Sequence, residues 1–314
     1  MPELPEVETI ARGLAKRVTG DVIESVWLGQ KKEPLKSPAA EIAAVLEQSH
    51  IAAVRRMGKH IVFDLAHVER APSPAKGGKL SKNPGKLRAV SNAGSSKAWA
   101  VADEGVRPTQ ISPQTKAQWI VHLGMTGSLR VCEPHIEVAK HTHAILKLAS
   151  GREVRFVDPR RFGRLSVATL TEFDATGIEP LEIDLEPFIA LFRGRKTPIK
   201  SALLNQNLLR GVGNIYADES LFRAGIRPRR RASSITREQL AKLHTAVKEV
   251  LKEAIALGGS SISDYVGAEG EEGFFQLQHR VYGREGESCR VCKTPIKRVV
   301  IAGRSSHYCP KCQK

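Results

Sequence analysis

Long apolar runs are missing from this sequence of 314 residues. No stretch of about 18 apolar residues occurs, and this excludes a membrane-spanning helix. The opening MPELPEVETI is acidic and has no apolar segment, so we expect no secretory signal and a cytoplasmic protein. Aromatic residues are also scarce, at 5% of the chain, which disfavours a long surface on which single-stranded bases would stack.

Acidic residues are the next deficit. Asp and Glu number 33 against 49 Lys and Arg, which gives a formal net charge of +16. This balance favours a polyanionic partner, with DNA or RNA ahead of an anionic membrane, and a basic surface without a ligand is the alternative. Hydrophobic residues make up 41% of the chain, enough for a folded core, and the length favours two domains.

Cysteine is almost confined to the C-terminal end. Apart from Cys132, the cysteines form two Cys-x2-Cys pairs separated by 16 residues. This spacing is typical of a structural site in which four thiolates surround one Zn²⁺ and leave no open position. The alternative, four reduced thiols without a metal, leaves a tail with few apolar residues little means of folding. The predicted zinc ligands are Cys289, Cys292, Cys309 and Cys312.

The first half of the chain combines one helix with many short strands. Residues 5–18 place apolar side chains at helical spacing, and the runs that follow read as β-strands separated by turn signals. Residues 70–116 interrupt this pattern with Pro, Gly, Ser and basic residues. We predict a loop or disordered insertion between two strands there, and we favour a solvated linker over a DNA contact.

The second half is helical, and the composition changes over residues 178–190, where we place the domain boundary. Residues 201–209 and 214–226 read as two helices joined by a glycine-containing turn. Thr236 begins a capping box that opens a helix through Ala256.

The second residue of the chain offers a nucleophile. Removal of the initiator Met would expose the secondary amine of Pro2, and a terminal amine is neutral near pH 7 far more often than a lysine is. Attack by a secondary amine yields a cationic iminium, which is an electron sink for elimination. Glu3 and Glu6 lie beside it at the start of the predicted helix, although acids are common there.

Several motifs, in this order, resemble the formamidopyrimidine-DNA glycosylase family. They cover both ends of the chain, and only the segment 70–116 is foreign to the pattern. Together they are highly specific, whereas any single short motif is not. The motifs are MPELPEVETI, GKH at 58–60, HLGMTGSL at 122–129, DPRRFG at 158–163, GVGNIYADESLF at 211–222 and GRSSHYCPKCQ at 303–313.

The resemblance implies an α+β, two-lobed fold. An N-terminal β-sandwich with flanking helices would occupy residues 1–178, and a helix–two-turn–helix domain would occupy residues 179–285. A four-cysteine zinc-finger β-hairpin would follow at 286–314. Double-stranded DNA that contains oxidised bases or abasic sites would lie in the cleft between the lobes.

The resemblance also implies residue roles. Pro2 would attack the deoxyribose C1′, Glu3 would act as acid and base, Glu6 would support it, and Lys59 would complete the catalytic set. Met125, Arg160 and Phe162 would fill the space left by an extruded base, which costs a few kcal/mol to unstack. The implied phosphate contacts are Lys59, His122, Lys200, Asn214, Tyr282 and Arg304.

Two positions depart from the family pattern. Ser263 stands where the family often has Lys or Arg in a loop that closes on the damaged base, so the family's loop contacts with the lesion are not carried over to this chain. His307 replaces a commoner Phe between the zinc-ligand pairs, and we predict a change in packing.

The sequence therefore predicts a base-excision enzyme that removes oxidised purines and cuts the strand by β,δ-elimination. We expect a monomer associated with the bacterial nucleoid, with one structural zinc and no catalytic metal or organic cofactor. Three alternatives stay open at this point. They are an endonuclease VIII-like enzyme for oxidised pyrimidines, a non-catalytic zinc and helix–turn–helix DNA-binding protein, and a scaffold that recruits a partner through 70–116.

Overall fold

The computed structural model describes residues 1–67, 116–169, 173–260 and 273–314. The predicted insertion therefore lies outside the described residues except for its last residue, Lys116, and Ser263 lies outside them as well. No helix in the described ranges is both long enough and apolar enough to cross a bilayer.

The N-terminal lobe is a β-sandwich, as expected. One antiparallel sheet has the strand order β1-β6-β7-β5 and the other has the order β2-β3-β4-β8. Their inner faces share a core with the first helix, in which Phe63, Trp119 and Phe156 are fully buried. The strands are β1 Ile23–Leu28, β2 Ser49–Met57, β3 His60–His67, β4 Lys116–His122, β5 Ser128–Cys132, β6 Thr142–Leu148, β7 Glu153–Val157 and β8 Arg164–Ala168.

The C-terminal lobe is helical and ends in a small β-hairpin. Its core contains Phe188, Phe192, Tyr216 and Phe275, all fully buried. The helices of the chain are α1 Leu4–Val18, α2 Ala39–Leu46, α3 Leu185–Ala190, α4 Ile199–Leu203, α5 Asn214–Arg223 and α6 Arg237–Ala256, with short 3₁₀ turns at Ala232–Ser234 and Phe275–Gln278. The hairpin pairs β9 Lys297–Ile301 with β10 Arg304–Tyr308.

Helix α1 belongs to both lobes. Leu4 packs in the helical core of the second lobe, whereas Val7, Ile10 and Leu14 pack in the sandwich core. The N–H of Leu4 donates to the carbonyl oxygen of Gly211 at 3.0 Å. The first turn of α1 is therefore held by the second lobe although the rest of the helix is part of the first.

The sequence prediction of a helix over 201–209 is wrong in length, because α4 ends at Leu203. Polar side chains take over the backbone groups beyond that point. The N–H of Asn207 donates to the Asn205 side chain at 3.0 Å, and the Gln206 amide bonds the carbonyl oxygens of Leu204 and Val212 at 2.9 and 2.8 Å. Such local bonds compete with helical ones. In contrast, the capping box at Thr236 and the helix through Ala256 are confirmed.

A buried ion network joins the lobes beside the β2–β3 turn. The guanidinium of Arg56 binds Glu8 of α1 at 2.7 Å and both carboxylate oxygens of Glu179 at 2.9 and 3.0 Å. It also donates to the carbonyl oxygen of Gly58 at 3.2 Å. Arg210 lies 3.4 Å from the same Glu179. The Arg56 and Glu179 side chains are each only 7% exposed. Loss of either one would therefore leave the other as a buried charge without its partner, which destabilises the fold.

We predict that Arg56→Met lowers the free energy of unfolding by about 3 kcal/mol, because it leaves Glu179 buried beside a weaker partner. Urea unfolding at pH 7 measures this. The control is Arg55→Met, since the Arg55 and Asp64 side chains are 32% and 30% exposed and solvent-accessible pairs contribute about 1 kcal/mol or less. Equal losses in the two variants would contradict a special role for the buried network.

Candidate active site

A cleft of about 630 Å³ lies between the two lobes. Both lobes contribute polar and charged side chains to it, and Met1 also lies in it. The cleft contains six of the residues that the sequence predicted for the site. They are Glu3, Lys59 and Met125 from the first lobe and Asn214, Tyr282 and Arg304 from the second.

Glu3 lies at the N-terminus of α1 and is 4% exposed. The backbone N–H of Ile215 in α5 donates to its Oε1 at 3.3 Å, and its Oε2 is buried without a hydrogen-bond partner among the described residues. A side chain at Gly213 would place its Cβ 2.1 Å from the Glu3 carboxyl carbon, so glycine is needed there to admit the carboxyl group.

The environment of Glu3 suits proton transfer near neutral pH. Burial raises the pKa of Glu3 to about 7, although the nearby charge of Lys59 opposes the rise. A carboxyl group with a pKa near the working pH both donates and accepts protons efficiently. Burial in turn lowers the pKa of Lys59, which is 9% exposed in the turn between β2 and β3.

Glu6 lies one helical turn behind Glu3 and bonds several segments together. Its Oε2 accepts the backbone N–H of Glu3 at 2.8 Å, and its Oε1 accepts the N–H of Ser260 at 2.8 Å and the hydroxyl of Tyr216. Burial raises its pKa. Gly259 packs so closely that an added Cβ would come within 2.9 Å of the Glu6 side chain. Glu6 thus connects α1, α5 and the segment after α6.

His122 ends β4 and packs against His60, with ring centroids 5.0 Å apart. Its Nδ1 accepts the N–H of Gly124 at 3.0 Å, so a proton on the neutral ring belongs on Nε2. Burial, together with His60, Arg164 and Lys59, lowers the pKa of His122 to about 4. His122 is therefore a neutral hydrogen-bond donor at pH 7.

Met125, Arg160 and Phe162 lie on two adjacent loops of the first lobe. Met125 is 41% exposed and Phe162 is 53% exposed, and the guanidinium carbon of Arg160 lies 4.8 Å from the Phe162 ring centre. Fully buried Asp158 bonds both loops, because it accepts Thr126 Oγ1 at 2.6 Å and the N–H of Gly163 at 2.7 Å. Exposed apolar side chains on anchored loops can enter a gap between bases.

The second lobe presents Asn214, Tyr282 and Arg304. Asn214 begins α5, where free N–H groups favour an anion. Arg304 follows the tight turn of the β9–β10 hairpin. Tyr282 is held through its backbone, since the carboxylate of Glu219 accepts the N–H groups of Arg280, Val281 and Tyr282 at 2.9–3.0 Å.

Lys200 behaves differently from the other predicted phosphate contacts. Its side chain has no exposed surface, and its Nζ lies 2.6 Å from Asp218. It does not line the cleft.

The four C-terminal cysteines form a group with metal-site dimensions. Their sulfur atoms all lie within 4.8 Å of one another, with 3.9 Å between Cys289 and Cys312 and 3.4 Å between Cys292 and Cys309. Tetrahedral Zn²⁺ with bonds of about 2.3 Å separates its sulfur ligands by about 3.8 Å. The residues therefore fit this metal.

Sequence reasoning missed the buried anchors Asp158, Asp218, Glu219 and Tyr216. One signal was available in the predicted helix, because apolar residues stand close to Asp218 and Glu219 on both sides, at 215–217 and 221–222. The structure buries all of residues 215–222. A charged residue on a buried helix face needs a partner. The identity of that partner is set by the tertiary structure.

The fold and the cleft define a class of protein, namely a two-lobed enzyme with a buried carboxyl group at a cleft for a polyanion. Family models match nearly the whole chain. They are the formamidopyrimidine-DNA glycosylase N-terminal domain at residues 1–165, the H2TH domain of the same enzyme at 176–266, and a zinc finger found in FPG and IleRS at 286–314.

Full-length relatives carry the same family name. A formamidopyrimidine-DNA glycosylase of Solibacter usitatus is 43% identical and one of Gluconobacter oxydans is 38% identical, each over 100% of both chains. Among solved structures, the MutM (Fpg) protein of Thermus thermophilus is 36% identical with a TM-score of 0.75, over 99% of this chain and 98% of that one. A Lactococcus lactis Fpg mutant in complex with Fapy-dG DNA has a TM-score of 0.78 at 28% identity, with both chains fully covered.

The chain belongs to the formamidopyrimidine-DNA glycosylase family. It is therefore a DNA glycosylase for oxidised purines that also has abasic-site lyase activity. This excludes the interpretation as a non-catalytic DNA-binding protein.

We predict that Glu3→Gln stabilises the folded protein in a pH-dependent way. Because the pKa of Glu3 rises from 4.5 to about 7 on folding, the unfolding free energy of the native protein falls as the pH rises through this interval. Glutamine removes that loss, so the variant should be more stable by about 3 kcal/mol at pH 8 and by less than about 1 kcal/mol at pH 5.

Urea unfolding at the two pH values measures the difference. Glu8→Gln is a control of opposite sign, because the pKa of Glu8 is lowered by Arg56. That variant should lose stability at pH 8. The gain in unfolding free energy of Glu3→Gln over the native protein should be larger at pH 8 than at pH 5. An equal gain at the two pH values would contradict the raised pKa of Glu3.

Proposed function

We propose that this enzyme excises 8-oxoguanine opposite cytosine, and formamidopyrimidines, through an imine formed by Pro2. The observation that carries the proposal is the cleft in which Met1 adjoins Glu3 and Lys59. Removal of Met1 would place a free secondary amine at the position that Met1 now shields. An amine there would have a proton-transferring carboxyl group beside it.

The chemistry follows from these groups. The Pro2 nitrogen attacks C1′ of the deoxyribose and displaces the damaged base, which takes up the proton that the nitrogen loses. Glu3 then protonates O4′, so the sugar ring opens to an iminium. The iminium acidifies the C2′ proton, and loss of this proton expels the phosphate from C3′ by β-elimination. Loss of a C4′ proton then expels the phosphate from C5′ by δ-elimination. The charge of Lys59, beside Glu3, favours a phosphate at the same place.

The DNA contacts that we propose lie on both sides of the cleft. Lys59, His122, Asn214, Tyr282 and Arg304 would bind phosphates, and the exposed group Met125, Arg160 and Phe162 would fill the space of the extruded base. Support comes from the net charge of +16 and from the similar Lactococcus lactis structures, which are complexes with DNA that contains Fapy-dG or an abasic site. Binding should weaken as salt rises.

The assembly is also part of the proposal. We propose one structural Zn²⁺ on the four cysteines, a monomer that acts on chromosomal DNA in the bacterial cytoplasm, and units at 1–178, 179–285 and 286–314. A Lactococcus lactis structure with oxidised pyrimidine DNA makes a pyrimidine lesion the informative second substrate in every assay.

We predict that sodium borohydride traps a covalent adduct between residue 2 and an 8-oxoguanine duplex, because it reduces the iminium. Mass spectrometry of the tryptic peptide locates the adduct. Pro2→Gly should reduce trapping and strand cleavage by at least tenfold. A chain that retains Met1, isolated with an uncleavable second residue that carries no amine, such as Pro2→Leu, should give no adduct at residue 2. An adduct on a lysine instead would contradict the assignment.

Zinc removal should abolish DNA binding without unfolding the sandwich lobe. We expect one zinc per chain by elemental analysis, and Cys309→Ser should lose both the metal and specific binding, because the hairpin that carries Arg304 folds around it. Cys132→Ser is the matched control and should retain the metal and binding. Full binding by a metal-free Cys309→Ser protein would contradict the proposed role.

A further inference from the structure

A buried ion pair lies directly behind the zinc hairpin. Lys200 of α4 and Asp218 of α5 approach to 2.6 Å, and neither side chain has any exposed surface. Burial lowers the pKa of Lys200, and the charge of Asp218 opposes this effect. Lys200 therefore satisfies its charge inside the protein and not at the cleft.

Both members of the pair also bind the backbone of β10. Lys200 Nζ donates to the carbonyl oxygen of Ser305 at 2.6 Å, and the N–H of His307 donates to Asp218 at 2.8 Å. These two contacts lie on either side of Ser306, which is itself fully buried. The strand is thus fixed at two successive points, and the first is adjacent to Arg304.

His307 extends the same arrangement to Tyr282. Its Nδ1 lies 3.3 Å from Asp218, and its ring meets the Tyr282 ring edge-on, with centroids 5.1 Å apart. A phenylalanine side chain at this position could pack against Tyr282 but could not hydrogen-bond Asp218, which would keep only the backbone N–H of residue 307. Histidine in place of the commoner Phe at position 307 therefore adds a polar contact to the buried group formed by Lys200 and Asp218. Through His307 and β10, this group reaches both Tyr282 and Arg304.

We propose that the Lys200–Asp218 pair is a positioning device that sets Arg304 and Tyr282 against the DNA, and that Lys200 does not itself bind a phosphate. The proposal rests on the proposed phosphate contact of Arg304. It replaces the role that the family resemblance implies for Lys200. Two residues that act through one contact should not contribute independently to DNA affinity.

A double-mutant cycle tests this prediction. The affinity for a duplex with an uncleavable abasic-site analogue is measured at several salt concentrations for Lys200→Met, Arg304→Ala and the double variant. Each single substitution should weaken binding about tenfold and reduce the slope of log affinity against log salt by about one. The double variant should bind DNA no more weakly than the single variant with the lower affinity. The proposal would be overturned if the affinity losses of the two single variants multiplied in the double variant and its salt slope fell by about two.

Asp218→Leu gives an opposite-sign test. It removes a negative charge and leaves Lys200 in place, so a purely electrostatic role predicts tighter DNA binding, whereas lost positioning predicts binding about tenfold weaker. If a single variant does not fold, Lys200→Met with Asp218→Leu leaves no unpaired buried charge and keeps the test available. Native affinity in that variant would overturn the proposal.

Two comparisons separate the possible failures. Glu186→Gln removes one member of an exposed pair with Arg237 and should leave affinity unchanged. Native affinity in Arg304→Ala would refute the proposed phosphate contact, while additivity in the cycle refutes only the positioning role.

Discussion

The insertion of the first turn of α1 into the second lobe is the constraint on which the site depends. Leu4 packs in the helical core, its N–H binds Gly211, and the carboxyl groups of Glu3 and Glu6 bond α5. Residue 2 is consequently held at the boundary between lobes, where a substrate in the cleft contacts both. A loosely held N-terminus would lose the orientation on which the proposed attack by Pro2 depends.

Holding Glu3 there opposes stability. Its carboxyl group is buried with one oxygen unpartnered among the residues that the structure describes, and its pKa is raised to about 7. The same desolvation that weakens the fold keeps a proton available at neutral pH. The Arg56 network with Glu8 and Glu179 lies across the same boundary between the lobes. Its ion pairs hold the two lobes together beside the destabilising carboxyl group of Glu3.

Buried carboxylates anchor the segments that face the cleft. Asp158 bonds the loops of Met125 and Phe162, Glu219 bonds the backbone of Tyr282, and Asp218 bonds the hairpin of Arg304. A carboxylate accepts several N–H groups at once, so a single side chain can order a loop that has little core of its own. The segments that carry the basic side chains of the cleft are thus held in place by buried carboxylates.

The sequence by itself determined the helix over residues 5–18, the series of short strands in the first half, the capped helix from Thr236 and the four-cysteine group. Periodicity, capping and ligand spacing act over a few residues, so they can be read from the chain alone. The family motifs identified six residues that do line the cleft. The early end of α4, the burial of Lys200 and the partners of Asp158, Asp218 and Glu219 were decided only by the tertiary structure. Burial and ion pairing depend on which distant segments meet. Lys200 shows this, because the family resemblance implied a phosphate contact there, and the folded protein pairs Lys200 with Asp218 in its interior.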